Sequence, residues 1–534
     1  MNGSEKPAIT ATVCTLILTL YPAAPGRTIR VAHDAPADFH TIQAAIDDAN
    51  DGDTILVAPG TYTGPGNRDI DFMGRAVTVR SADPSDSGTV TATIIDCGGS
   101  EGEPHRGFSF RNGEDANSVL MGLTITGGWM EKGAGIYIEG SSPSILCCRI
   151  TGNGGPSVLS TKRKGGIGVY ICEGNPCIDR CLIANNKCEG GSSYGGGIYC
   201  CNGSPVICDC RIESNEVRHA GGGIHCEFGG TVTLSGCTIV NNQVRFRTGG
   251  GVCLRYADGV LSHCLIAQNQ SNEGGAGVFL VQSETLIRNC TIVDNADSRW
   301  GGGVHFSLGK LSLMDSVLWG NRAPEGPQII VYSWNGMYDA PWGFVRLTGV
   351  VDVLACDIQG GQSAILVSGD PHCLELNWRE DNIDADPFFA NPYHSDPPNE
   401  TPGRPIRSLG GPPAIAPWDY HLKSQGGRWD LESKSWIQDD VTSPCIDAGD
   451  PNSPIGYEPF PNGGVVNMGA YGGTAEASKS YFGEPVCETV IAGDLNGDCI
   501  VDFEDFKILA LHWMTGVPVP PSPPDPEPKP ITPR

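Results

Sequence analysis

Apolar and polar positions alternate in short runs through the middle of the chain, as in Gly197-Ile198-Tyr199-Cys200 and Gly223-Ile224-His225-Cys226. That is the period of a strand with one face inward. Between residues 133 and 321 a glycine cluster hands over to an aliphatic residue seven times, at Ile136, Val169, Ile198, Ile224, Val252, Val278 and Val304, in steps of 33, 29, 26, 28, 26 and 26 residues. Each copy closes on an asparagine: Asn153, Asn186, Asn215, Asn242, Asn269, Asn295 and Asn321. Strand patterning at a period in the twenties predicts a solenoid, because one such unit cannot bury its apolar face alone. At about 3.3 Å per residue, each copy holds two or three short strands and their turns, one coil of a parallel β-helix.

The same inward position recurs as Cys148, Cys181, Cys210, Cys237, Cys264 and Cys290, with Ser316 in the last copy. That parity predicts a buried ladder of free thiols, since parallel stacked side chains suit disulfide geometry poorly. The asparagines are assigned to structure: Asn tolerates a left-handed turn, and its amide can bond to the adjoining coil. Ahead of the repeats, Ile42, Ala45, Ile46 and Ala49 fall at i, i+3, i+4 and i+7, which predicts an amphipathic helix stopped by Gly52 and followed by a strand from Asp53 to Val57. An open solenoid end needs a cover, and this helix is its natural lid.

Residues 41–62, from Thr41-Ile-Gln-Ala-Ala-Ile to Pro59-Gly-Thr-Tyr62, closely resemble the first coil of the pectate-lyase-like superfamily of right-handed β-helix proteins. The resemblance extends through residue 390 or so. It implies an all-β, right-handed parallel β-helix with an N-terminal capping helix. It selects no activity, because that superfamily contains lyases, hydrolases, epimerases and noncatalytic surface proteins.

The chain's 534 residues suffice for a large core, and its 73 glycines match the turns that stacked coils demand. The formal charge of −26 lies in the flanks, because residues 131–326 carry 16 Lys plus Arg against 16 Asp plus Glu. So acidic a protein is a poor nonspecific binder of nucleic acid, and any polyanion recognition has to be local. Lys6, the apolar run from Ala8 to Leu20 and the small residues through Ala24 have the order of a signal peptide, residues 1–24, and predict a secreted or cell-surface protein. No other stretch is long and apolar enough to span a bilayer. In an oxidising compartment, outward Cys172 with Cys201, and Cys487 with Cys499, are the candidate disulfides. The Cys177/Cys181 and Cys208/Cys210 spacings lack the paired histidines of a zinc site.

Residues 483–516 read as a separate module. Asp494, Asn496, Asp498, Asp502 and Asp505 fall at positions 1, 3, 5, 9 and 12 of a calcium loop, with the Ile500 carbonyl at position 7, and hard oxygen donors at that spacing predict Ca2+. Phe503, Phe506, Leu509 and Trp513 predict a helix packed on the loop. The segment resembles one half of a type I dockerin, an EF-hand-like loop and helix. Cys499 stands where the sharp-turn glycine belongs, and one repeat is present instead of two, which disfavours docking to a cohesin. Residues 517–534 are an extended proline-rich tail. Residues 391–482 are expected to close the β-helix of residues 27–390, with aspartates such as Asp447 and Asp450 assigned to turns and caps.

On the first strand of each coil the outward residue is Tyr137, Tyr170, Tyr199, His225, Cys253, Phe279 or His305, and two places on lie Glu139, Cys172, Cys201, Glu227, Arg255, Val281 and Ser307. Stacking turns these into columns on an exposed sheet suited to a linear sugar chain. The loops feeding the sheet carry Lys162-Arg163-Lys164, Arg218-His219, Arg245-Phe246-Arg247 and Arg299-Trp300, cations that would gather on one edge and attract an acidic polysaccharide. The candidate catalytic set is His225, Glu227 and Arg255, a base and a cation of the kind that β-elimination of a uronate needs. Hydrolysis needs two adjacent carboxylates, whereas Glu139 and Glu227 lie three coils, roughly 14 Å, apart. The leading expectation is an exported, calcium-containing β-helix that binds polysaccharide or a cell-surface glycan, or is itself displayed at the surface. The alternative is a polysaccharide lyase.

Overall fold

The computed structural model describes residues 26–33, 36–156, 163–188, 190–333, 337–340, 343–346, 349–392, 418–483, 493 and 501–513. They fall into two compact units, one running to Ala385 and one built from Asp386–Pro392 with the described part of Pro417–Arg534.

The first unit is a parallel β-helix. Ile198, Ile224, Val252, Val278 and Val304 stand opposite one another on successive strands, all parallel and in register. A second strand of each coil belongs to the same 22-stranded sheet, because Val278–Arg288 and Val304–Met314 run unbroken from the first face into the next. A third strand builds an 11-stranded sheet. Several coils add a fourth, such as Glu216–Val217, in a five-stranded sheet. Two residues are too few for a period to show in the sequence, which is why two or three strands per coil were expected where three or four exist.

The interior follows the alternation. The ladder cysteines are buried free thiols, and those of Cys181, Cys210 and Cys237 donate to the carbonyls of Ile145, Ile178 and Ile207 on the preceding coil. The asparagines form a continuous amide ladder: Asn186, Asn215, Asn242, Asn269 and Asn295 each donate through Nδ2 to Oδ1 of the next member at 3.0 Å. The left-handed corner belongs to the residue before each of them, Gly152, Asn185, Ser214, Asn241, Gln268, Asp294 and Gly320. The ladder asparagine is thereby turned inward, so its role is cross-coil bonding and not the turn itself. The lid helix forms over Ile42–Asp48, N-capped by Thr41, with Ile42, Ala45 and Ile46 buried.

In the second unit, Phe389–Asn391 pairs antiparallel with Asp419–Leu422, and Arg428–Asp430 with Ser435–Ile437. His421 lies buried on the ring of Tyr471, its Nδ1 2.6 Å from Asp419 and its Nε2 3.6 Å from Glu476. Asp447 accepts from the Gly463 amide and the Ser480 hydroxyl, a turn-holding role. Among the described residues no helix is long and apolar enough to cross a membrane.

Candidate functional site

The outward columns form, but most of their rings are buried. Tyr137, Tyr170, Tyr199 and His225 stack ring on ring, with centroids 5.1, 5.3 and 5.6 Å apart and planes within 9°. Tyr170, Tyr199, His225, Glu227, Phe279 and His305 are nevertheless all buried. The cause lies in the glycine clusters, which fold the preceding loop back across the sheet: a Cβ at Gly221 would stand 2.5 Å from that of His225. Tyr194, from the loop of the preceding coil, packs its ring 5.1 Å from His225 and 5.7 Å from His219.

His225, Glu227 and Arg255 do come together. Glu227 takes the Tyr199 hydroxyl at 2.5 Å, lies 3.6 Å from His225 Nε2, and faces half-buried Arg255 across the strand register. His225 has no exposed surface and Glu227 is buried, so in this structure the group is closed to a substrate and links neighbouring coils. Burial and Glu227 drive the Tyr199 phenol far above its usual range, so it serves as a permanent donor.

The basic loops gather in part. Arg218 lies 4.5 Å from the Phe246 ring, and Arg218 and Arg247 join burial in holding His219 below the usual imidazole range. Arg299 lies over Trp300 two coils on. Arg245 pairs with Glu216, which Lys187 also approaches at 3.1 Å, so its charge is partly offset. Cys172 and Cys201 are free thiols. Of the calcium-loop residues, Asp494, Asn496, Asp498 and Ile500 lie outside the described residues. Asp505, at position 12, accepts from the Asp502 amide at 2.7 Å as the helix Phe503–Trp513 begins. Phe503 and Phe506 on that helix stand exposed, and the loop on which they were expected to pack lies outside the described residues.

Where the tyrosine ladder ends, a cleft of about 710 Å³ opens, lined by Asp69, Glu101, Arg106, Arg111, Trp129, Glu131, Lys132, Tyr137 and Glu139 among others. Ser109 stands in register with Tyr137 and is too small to continue the stack. The Arg106 guanidinium takes the ring's place, 4.5 Å from the Tyr137 centroid. Tyr137 donates to Glu139 at 2.9 Å, Arg111 pairs with Asp71 at 3.0 Å, and Lys132 donates to Tyr170 at 3.1 Å. Burial first, and the Glu139 bond second, push the Tyr137 phenol up to about 12. Burial lowers Arg106, against the pull of Tyr137 and Asp69. Tyr137 and Glu139 belong to the columns read from the repeats. Arg106, Arg111, Trp129 and Lys132 precede the regular period, which therefore did not point to them. The signal was the alternation Phe108-Ser109-Phe110-Arg111, which puts Ser109 and Arg111 outward.

The chain matches the family model described as right handed beta helix region over residues 81–243 and again over 194–338. Residues 414–449 match one described as disaggregatase related. Among solved structures it is similar to the pectate lyase Pel9A, at TM-score 0.41 and 12% identity, over 84% of this chain and 97% of that one. It is also similar to a DFA-IIIase from Arthrobacter chlorophenolicus A6, at TM-score 0.24 and 13% identity, over 66% of this chain and 98% of that one. No curated protein matches.

Proposed function

On this right-handed parallel β-helix, we propose that the cleft around Tyr137 holds a stretch of polysaccharide in an exported protein. The supporting observation is the open end of the tyrosine ladder: a ring beside Trp129, rimmed by Arg106, Arg111, Lys132 and Glu139. Aromatic faces take the apolar side of a sugar ring, and convergent polar groups fix its hydroxyls. Three cations meet four carboxylates in the lining, Asp69, Glu101, Glu131 and Glu139, so the cleft alone does not demand an acidic glycan. The acidic preference rests on the loop edge beyond it, where backbone bridges link the loop positions Lys132, Gly165, Tyr194, Ala220 and Thr248 in sequence and Arg218 and Arg247 lie within two residues of the last two. Binding is favoured over turnover because Tyr137 stays protonated at neutral pH and is a donor there, not a base.

The test uses the full chain against neutral, uronate-bearing and sulfated glycans, with calorimetry for binding and absorbance for unsaturated ends. Tyr137→Ala and Trp129→Ala are expected to weaken binding at least about ten-fold without any absorbance change in the parent. Unsaturated ends that vanish in Tyr137→Phe would convert the reading to a lyase, and no binding across the panel would end it. Calcium in the tail is part of the same proposal. Asp494, Asn496, Asp498, the Ile500 carbonyl, Asp502 and Asp505 would hold it, and calcium should raise the melting temperature of residues 483–516.

A further inference from the structure

The column beside the cleft runs Arg111, Glu139, Cys172, Cys201, Glu227, Arg255 over six coils. From Glu139 to Arg255 each residue is the direct register partner of the next. Two free, half-buried thiols therefore stand side by side between two carboxylates, next to the phenols of Tyr170 and Tyr199 in the adjoining column, which lower both thiols against the larger raising effect of burial. Cys200 and Cys226 are also register partners, but both are buried in the core.

Parallel partners lie about 4.8 Å apart and point the same way. A disulfide needs Cβ atoms about 3.8 Å apart and a Cβ–S–S–Cβ dihedral of about 90°, which side chains standing parallel on partnered strands suit poorly, so the expected Cys172–Cys201 bridge is disfavoured. Two metal–thiolate bonds of about 2.3 Å laid end to end span roughly 4.6 Å, the spacing the sheet already provides. Among the described residues no three His, Cys, Asp or Glu side chains converge on one point, which leaves tetrahedral zinc and hard cations without a ligand set. A soft closed-shell ion that accepts two thiolates in a line needs no third ligand.

We propose that Cys172 and Cys201 form a two-coordinate site for a soft monovalent cation, monovalent copper being the ion that fits. On binding, each S–H bond breaks and one S–Cu bond forms in its place. Two protons pass to solvent, no electron is transferred, and the resulting complex carries one negative charge. Lys132 favours the Cys172 thiolate, while Glu173 and Glu139 oppose it. Burial holds both thiols above their usual range, Cys201 at about 11, so uptake strengthens as pH rises. The site needs no bound glycan, although Lys132 and Glu139 beside it also line the cleft.

The test is an oxygen-free titration of the full chain with monovalent copper against a chromogenic chelator. The parent should take up an equivalent that Cys172→Ser/Cys201→Ser holds at least about ten-fold more weakly, while Cys177→Ser, which alters another half-buried thiol, retains it. Zinc titrations should not distinguish parent from double variant. X-ray absorption on the copper-loaded parent needs no variant and should show two sulfur neighbours. Undiminished uptake by the double variant, or a copper shell with three sulfurs or with nitrogen and oxygen, overturns the proposal.

Discussion

Asn242 joins three coils through one side chain. Its Oδ1 accepts from the backbone N–H and Nδ2 of Asn215, while its own Nδ2 donates to the Ile212 carbonyl and to Asn269. Truncation leaves donors and acceptors stranded where no water reaches, so Asn242→Ala should cost about 3 kcal/mol in denaturant unfolding. His305 makes a pH-dependent contribution. Its buried ring packs on Phe279, and burial lowers it to about 4. The unfolded chain binds the proton more readily, so stability is full above the ordinary imidazole value near 6.5 and declines as pH falls towards 4, by roughly 3 kcal/mol in all. His305→Phe should flatten that decline in melts taken from pH 7 to pH 4. Both residues show what a sequence displays at this scale. Parity, inward or outward, is set by immediate neighbours and was legible for every column. Exposure of an outward ring depends on a loop in another coil, as Tyr194 covering His225 illustrates, and no local pattern carries that.

Among the elements, the strands and the lid helix were legible because each has its own period, three to four residues for Ile42–Asp48 and two for the strands. The cleft was not, because it is made where the period fails: Arg106 and Trp129 come from the irregular first coils. The glycine clusters are the element that most constrains sequence. A Cβ at Gly223 would sit 2.7 Å from the Gly251 carbonyl oxygen and 3.1 Å from Asn242 Nδ2, and neither the backbone nor the ladder can yield. Gly223→Ala should therefore cost about 2 kcal/mol or more, read as a shifted denaturation midpoint with an unchanged slope.

At the scale of the whole molecule, the two units should respond to pH in opposite senses. Burial raises Glu458 in the second unit to about 8, although its Oε1 accepts from the Asn467 and Gly473 amides, and His421 is also raised by Asp419 and Glu476 against the opposing effect of burial. A raised folded value means stability present below the unfolded value and lost as pH climbs through the folded one, so Glu458 weakens its unit from about pH 4.5 to 8. Calorimetry should show one transition rising and another falling between pH 5 and pH 8, and Glu458→Gln should remove most of the fall.

The amide ladder also gives the solenoid a direction. Every asparagine donates forward and accepts from behind, and after Asn321 the line passes to Gln328 and then Gln359. A coil that brings its own asparagine thus supplies both the socket for its predecessor and the plug for its successor. Whole coils can be added or removed like links, lengthening the rod in steps of about 4.8 Å while the cleft at its beginning stays untouched.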